Sequence, residues 1–206
     1  MTELDPQLLG AFAVFACVAS ITPGPNNAML MASGANFGLR ASLPHMAGVF
    51  VGFLLLLIAV GAGLGGLFTA YPVLHQVIGW AGAAYLLYLA VRIALSDKLS
   101  TGKGEARPLR FMQAVSFQAV NPKAWASSIG AMTTYAPQTH YLANATAVMV
   151  LFSLINIPSI AAWTLFGVAM RRFLDRPAVL RTFNIAMGLL LALSLVPGVE
   201  ALAAGK

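Results

Sequence analysis

Six apolar runs separated by short polar stretches set the pattern of this chain, at residues 8–33, 41–68, 73–91, 112–136, 142–170 and 179–199. Each is long enough to cross a bilayer as a helix, which takes roughly 20 apolar residues. Residues 47–67 hold no charged side chain and give the clearest span. The runs at 8–33 and 112–136 differ from the rest, because proline and asparagine interrupt each near its middle. The pattern predicts an all-α, polytopic membrane protein with six transmembrane helices, the first and fourth of them broken.

Charge then orients the spans. Arg40 follows the first run, Arg92, Lys98, Lys103, Arg107 and Arg110 follow the third, and Arg171, Arg172, Arg176 and Arg181 follow the fifth. These loops share one side, which the excess of basic residues marks as cytoplasmic. The other side has only Lys206, and Lys123 falls inside the fourth run. Both termini are therefore expected in the periplasm, with Tyr71, Tyr135 and Tyr141 flanking the outer loops. The N-terminal segment carries Glu3 and Asp5 and no basic residue. It lacks the positive start of a secretory signal, so the first run reads as a retained helix.

The one polar stretch of any length, SDKLSTGKGEARPLR at 96–110, reads as a flexible cytoplasmic linker. It divides a single membrane domain, 1–206, into three-helix halves at 1–95 and 111–206. Three crossings are an odd number, so the halves must be inverted relative to each other. A slide of 99 residues lays Thr22-Pro23 on Asn121-Pro122 and Phe53 on Phe152. Paired interruptions at corresponding places in two such halves point to a transporter's binding site.

Composition narrows the class. Of 206 residues, 59% are hydrophobic and 9% charged, with a mean hydropathy of +0.82. A soluble domain carries about 25% charged residues, and six spans leave no room for one. The net charge of +6 sits in loops between apolar runs rather than on a phosphate-binding face, which excludes nucleic acid as the partner. Cys17 is the only cysteine, lies in an apolar run and has no metal-ligand spacing around it. It reads as a small buried hydrophobe, and no metal or cofactor is expected.

The chemistry concentrates at the two interruptions. Thr22-Pro23-Gly24-Pro25-Asn26-Asn27 contains two prolines without N–H donors. They should break the first helix near mid-bilayer, where open backbone survives only if protein buries it or it lines a wet cavity. Pro25 suits the first position of a new half-helix, whose free N–H groups hold a carboxylate. Carbonyls freed near Ser20 and Ile21 would receive an ammonium, so the break matches both ends of an amino-acid zwitterion. The bland alternative is a kink satisfied by neighbouring Ser and Asn.

The fourth run carries Gln118, Asn121, Pro122 and Lys123. Lys123 lies about 12 residues past Phe111, roughly 18 Å along a helix. At that depth the ammonium needs a partner, either a substrate carboxylate or carbonyls opened by Pro122. If the helix starts later, Lys123 is an ordinary interfacial residue. Asn156, near Pro158, joins the same cavity or bonds between helices, and Asn144 and Asn184 are the other polar residues within the fifth and sixth runs. His45, near a cytoplasmic helix end, could exchange protons near neutral pH or simply sit at the interface. Gly48 and Gly52 are explained by close helix packing.

The TPGPNN break, with Gly38, Arg40, Gly48 and Gly52 after it, resembles the first motif of the LysE/RhtB family of amino-acid exporters. WAGAAYLLYLAVRIA at 80–94 resembles that family's third helix, and residues 111–126, with Gln118 and Asn121-Pro122-Lys123, its fourth. The matches run in order along nearly the whole chain. The resemblance implies a bacterial inner-membrane protein that exports small neutral amino acids or derivatives, of the cysteine/O-acetylserine or homoserine/threonine kind. It also implies coupling to protons and leaves room for a homo-oligomer. All six acidic residues lie outside the runs, so protons would have to use His45, Lys123 or the solute's amine. A cationic solute finds nothing acidic, and a divalent cation lacks the carboxylates it needs. A membrane-embedded enzyme has no nucleophile–base pair or metal cage to use, and a non-conducting subunit is the other alternative.

Overall fold

Proline and glycine decide where the helices stop, and small residues decide how closely they approach. The computed structural model describes residues 6–64, 70, 72–95, 107–174 and 176–203, which form helices with no strand among them. Helix α1, Pro6–Ile21, is followed after Thr22, Pro23 and Gly24 by α2, Pro25–Phe37, and the two axes are bent by 51°. Helix α3, Leu39–Ala59, widens into a π turn at Val60–Leu64, where Gly63 takes a φ of 99° that favours glycine. Helix α4 is Pro72–Ala94. A second interruption separates α5, Phe111–Gln118, from α6, Pro122–Tyr135. Helix α7 spans Tyr141–Arg171, α8 Pro177–Leu193 and α9 Val196–Ala203.

Two stretches are long and apolar enough to cross a membrane unaided: Leu39–Leu64 and the 31-residue Tyr141–Arg171. The bent pair α1–α2 makes a third if it counts as one span. Trp80–Ala94 within α4 and all of α8 are apolar but shorter. The interruptions expected in the first and fourth runs are present, at 22–24 and 119–121. The sixth run, 179–199, is not one helix. It turns at Ser194–Leu195, where Leu195 N–H bonds the Ala192 carbonyl, and Pro197 sits in the first turn of α9. Most of the 96–110 linker, the expected ends at 65–68, Tyr71, the N-terminal acids and Lys206 lie outside the described residues.

Helix α2 is buried along almost its whole length and packs on α7, α3 and α8. The α2–α7 crossing leaves no space for side chains at its centre. A Cβ on Gly34 would lie 2.1 Å from the Thr164 carbonyl oxygen, and one on Gly167 would lie 2.1 Å from that of Met31. Gly48 and Gly52 do the same for α3 against α5, at 2.4 Å from Phe111 O and 2.7 Å from Gln118 Cγ. Close backbone approach of this kind is what holds helices together where lipid offers no hydrophobic drive. Aromatic rings fill the opposite half of the core. Phe12 meets Tyr135 at 5.2 Å and Phe152 at 5.8 Å, and Phe53 meets Phe152 edge-on at 5.0 Å.

Buried amides join α2 to other helices. Asn36 Nδ2 donates to Asn184 Oδ1 at 2.9 Å, and Asn184 returns a bond at 3.3 Å. Asn26 and Gln118 make the same reciprocal pair, at 3.0 and 3.1 Å. Asn144 is a local device instead, donating to the Pro137 and Thr139 carbonyls of the turn before α7. The basic helix ends gather at one end of the bundle, where Arg171 at the end of α7 reaches the α2–α3 corner at Gly38. At the other end Tyr141 OH donates to the Gly61 carbonyl at 2.8 Å, tying the start of α7 to the π turn.

Candidate functional site

A continuous helix would pair the carbonyls of residues 19–22 with N–H groups of residues 23–26, and Pro23 and Pro25 have none to give. The protein itself satisfies much of this deficit. Asn27 Nδ2 donates to Ser20 O at 2.7 Å and to Thr22 O at 2.9 Å. Ser159 Oγ, from α7, adds a bond to Ser20 O at 2.9 Å. Lys123 Nζ, from the other interruption, donates to Thr22 O. The Ser20 carbonyl, expected to await a solute's ammonium, is therefore already occupied by Asn27 and Ser159. Lys123 is half-buried against the first break, not at an interface: a Cβ on Gly24 would sit 2.7 Å from its Cδ and 3.1 Å from its Nζ.

The two half-helices that begin here are capped differently. Asn121 Oδ1 accepts from Lys123 N–H at 3.2 Å and Ala124 N–H at 3.4 Å, closing the start of α6. Helix α2 starts at Gly24 and Pro25 with no side-chain cap. Its first N–H groups are the ones a helix leaves open, at the positive end of its dipole.

Between the breaks lies a cavity lined by Ser20, Gly24, Asn26, Asn27, Asn121, Lys123, Ser127 and Asn156, with Val49, Phe53, Phe152 and Ile160 as its apolar wall. The space open to the centres of water-sized molecules is about 40 Å³. That holds about three waters at ~10–15 Å³ each, or ~90 Å³ as liquid, the scale of a small amino acid. Among the described residues Glu200 is the only acid, and it does not line this cavity.

Of the residues singled out in the sequence, Gly24, Asn26, Asn27, Asn121, Lys123 and Asn156 line this cavity. Thr22, Pro23, Pro25, Gln118 and Pro122 frame it without lining it. Gln118 instead holds Asn26, and Thr22 contributes its carbonyl. His45 lies elsewhere, buried on α3 beside a second cavity, with Nδ1 2.8 Å from Ser33 Oγ. Sequence reasoning missed Ser127 on α6, Ser159 on α7, although Pro158 beside it could have drawn attention there, and the Phe53–Phe152 wall, although the repeat had paired those two rings.

Apolar helices with a polar cavity at paired backbone breaks define a multi-pass membrane protein built around a solute-sized site. The chain matches the LysE type translocator family over residues 17–196. It is 32% identical over 189 residues to the cysteine/O-acetylserine efflux protein of Escherichia coli (strain K12), covering 91% of this chain and 95% of that one. The same figures hold for the cysteine/O-acetylserine efflux protein of Shigella sonnei (strain Ss046). No solved structure matches. The chain belongs to the LysE family of translocators, and its class is transport rather than enzymatic catalysis.

Proposed function

We propose that this protein exports small neutral amino acids or their derivatives, of the cysteine/O-acetylserine kind, from the cytoplasm across the inner membrane. The observation that carries the reading is the uncapped start of α2 beside the Lys123 ammonium, in a cavity of amino-acid size with no carboxylate among the described residues. Open N–H groups and a cation together favour a carboxylate. The solute's ammonium is left the Asn156 amide, which has no protein partner among the described residues, and the ring faces of Phe53 and Phe152. When Lys123 turns to the solute's carboxylate, Thr22 O is released to accept the solute's ammonium. Charge is thus exchanged within the site, and a zwitterion suits it better than a cation.

In this reading residues 1–95 and 111–206 are inverted halves with six spans in all, and both termini are periplasmic. Contacts between matching elements support it. Phe53 and Phe152, related by the 99-residue slide, touch across the cavity. Helix α3 packs on its counterpart α7 and α4 on its counterpart α8, while α1–α7 and α5–α3 form an exchanged pair. Proton coupling, for which the spans hold no carboxylate, is assigned to His45. The cavity is complete within one chain, so the proposal needs no second copy, and a homo-oligomer would hold one cavity per chain.

The test is efflux of a panel of labelled amino acids from liposomes containing this chain alone, with and without a proton gradient. O-acetyl-L-serine or cysteine is expected to move, and Lys123→Ala to abolish movement while the protein stays in the membrane. Wild-type liposomes that move none of the panel would overturn the reading in favour of a non-conducting subunit. Unchanged flux in the Lys123 variant would remove the site.

A further inference from the structure

A second cavity, with space of about 250 Å³ for the centres of water-sized molecules, lies between α2, α4 and the segment before α5. It is larger than the central one and differs in chemistry. Arg92 and Arg107 line it, with Tyr85, Tyr88, Gln113 and His45. No acidic side chain among the described residues does. The Arg92 guanidinium is held in place, donating to Tyr88 OH at 3.0 Å and lying 5.9 Å from that ring's centre. His45 is 1% exposed, and its Nε2 has no hydrogen-bond partner among the described residues. A buried ring nitrogen beside a cavity, with Ser33 taking only its Nδ1, is a polar group that a ligand can complete.

Position makes this cavity more than a basic surface. It follows α2, whose Met29, Ser33 and Asn36 line it, while Asn26 and Asn27 of the same helix line the central cavity. On α3 the two cavities are one turn apart, at His45 and Val49. Between them stand the Asn26–Gln118 amide pair and the buried Leu30, Val49 and Ala114. The cavity lies at the end of the bundle where the basic helix ends gather, so a solute coming from that side meets it first.

Resting on the export reading above, we propose that this cavity is a separate loading site that binds the carboxylate of the outgoing solute through Arg92 and Arg107 before the central cavity receives it. Planar guanidinium groups suit a carboxylate, and no acid among the described residues competes for either of them. An anionic lipid headgroup presents similar chemistry, and the test separates the two sources.

The experiment uses the full chain, purified in neutral detergent and reconstituted in phosphatidylcholine vesicles, with labelled O-acetyl-L-serine as the probe. Arg92→Gln/Arg107→Gln, both at exposed positions, is expected to raise the half-saturating concentration on the basic side about tenfold. Its limiting rate should stay within about twofold of wild type, since the central cavity is untouched. Binding is read independently of flux: Lys123→Gln should still bind the probe in detergent, and adding the two arginine substitutions should remove that binding. A half-saturating concentration unchanged by the arginine substitutions overturns the loading site. So does a difference that appears only when anionic lipid is added, or a Lys123→Gln protein that binds nothing. Wild-type protein that binds at the arginines but moves no solute would keep the site and defeat the export reading, so the two fail separately.

Discussion

Gly24→Ala separates the structural role of the first break from its proposed role in binding. Gly24 has φ −173° and ψ −177°, an extended conformation open to any residue, so the added methyl brings no backbone strain. Its Cβ would stand 2.7 Å from Lys123 Cδ, well inside contact distance, and the lysine must swing away. The charge-assisted bond from Nζ to Thr22 O is then lost. Such a bond contributes about 1.5–3 kcal/mol, but Thr22 O keeps Asn27 as a donor, so the lower end applies to stability. The methyl also takes up part of a cavity of only about 40 Å³. If Lys123 holds the solute's carboxylate, affinity should fall about 10- to 100-fold by the same bond energy. The measurements are binding of labelled O-acetyl-L-serine to purified protein, efflux from liposomes, and thermal unfolding of both proteins. A cycle with Lys123→Met, read by thermal unfolding, adds the decisive comparison, because the alanine should cost little stability once the lysine is gone. Wild-type affinity and flux in Gly24→Ala would refute the reasoning. So would an equal loss of stability with Lys123 present and absent.

Other substitutions probe neighbouring parts of the argument. Gly167→Ala places a methyl 2.1 Å from the Met31 carbonyl; overpacking costs about 1–3 kcal/mol, and a lowered yield of folded protein with a depressed Tm is expected. Asn27→Ala removes the one side chain that bridges Ser20 O and Thr22 O; unfolding should come easier by about 1–2 kcal/mol, since Ser159 and Lys123 keep each carbonyl partly paired. Asn156→Ala should leave Tm within a degree or two, because the amide bonds nothing among the described residues, while raising the half-saturating solute concentration about tenfold. Cys17, expected to be buried, is exposed on α1, and Cys17→Ser should change neither flux nor yield.

What could be read from the sequence follows from which interactions are local. The breaks at 22–24 and 119–121 were legible because a proline removes a hydrogen bond within its own helix, whatever surrounds it. Asn121 as a cap was nearly so, since it directly precedes Pro122. The close crossings at Gly48 and Gly52 could be anticipated as packing, but their partners could not. Gly34 and Gly167, at the tightest crossing of the fold, carry no spacing motif with each other and lie 133 residues apart in sequence. The division of the sixth run at Ser194–Leu195 was missed because hydrophobicity continues through it while the backbone turns.

The occupant of each freed carbonyl was the least legible feature, and it changes how the site works. From sequence, the carbonyls near Ser20 looked open to an incoming ammonium. In the folded chain Asn27 and Ser159 close Ser20 O, and only Thr22 O is held by a group that can leave, the flexible Lys123 ammonium. Asn27 and Ser159 are neutral donors fixed within packed helices, so a solute gains little by displacing them. A lysine ammonium half-buried among neutral groups gains more from a carboxylate than from a carbonyl. The break is therefore stable without a solute and has one exchangeable bond, at the point where the two interrupted helices meet. That placement predicts that substitutions at Thr22 O's two partners differ in their readout: loss of Asn27 loosens the fold, and loss of Lys123, at a similar cost in stability, also removes binding at the central cavity while binding at the arginines remains.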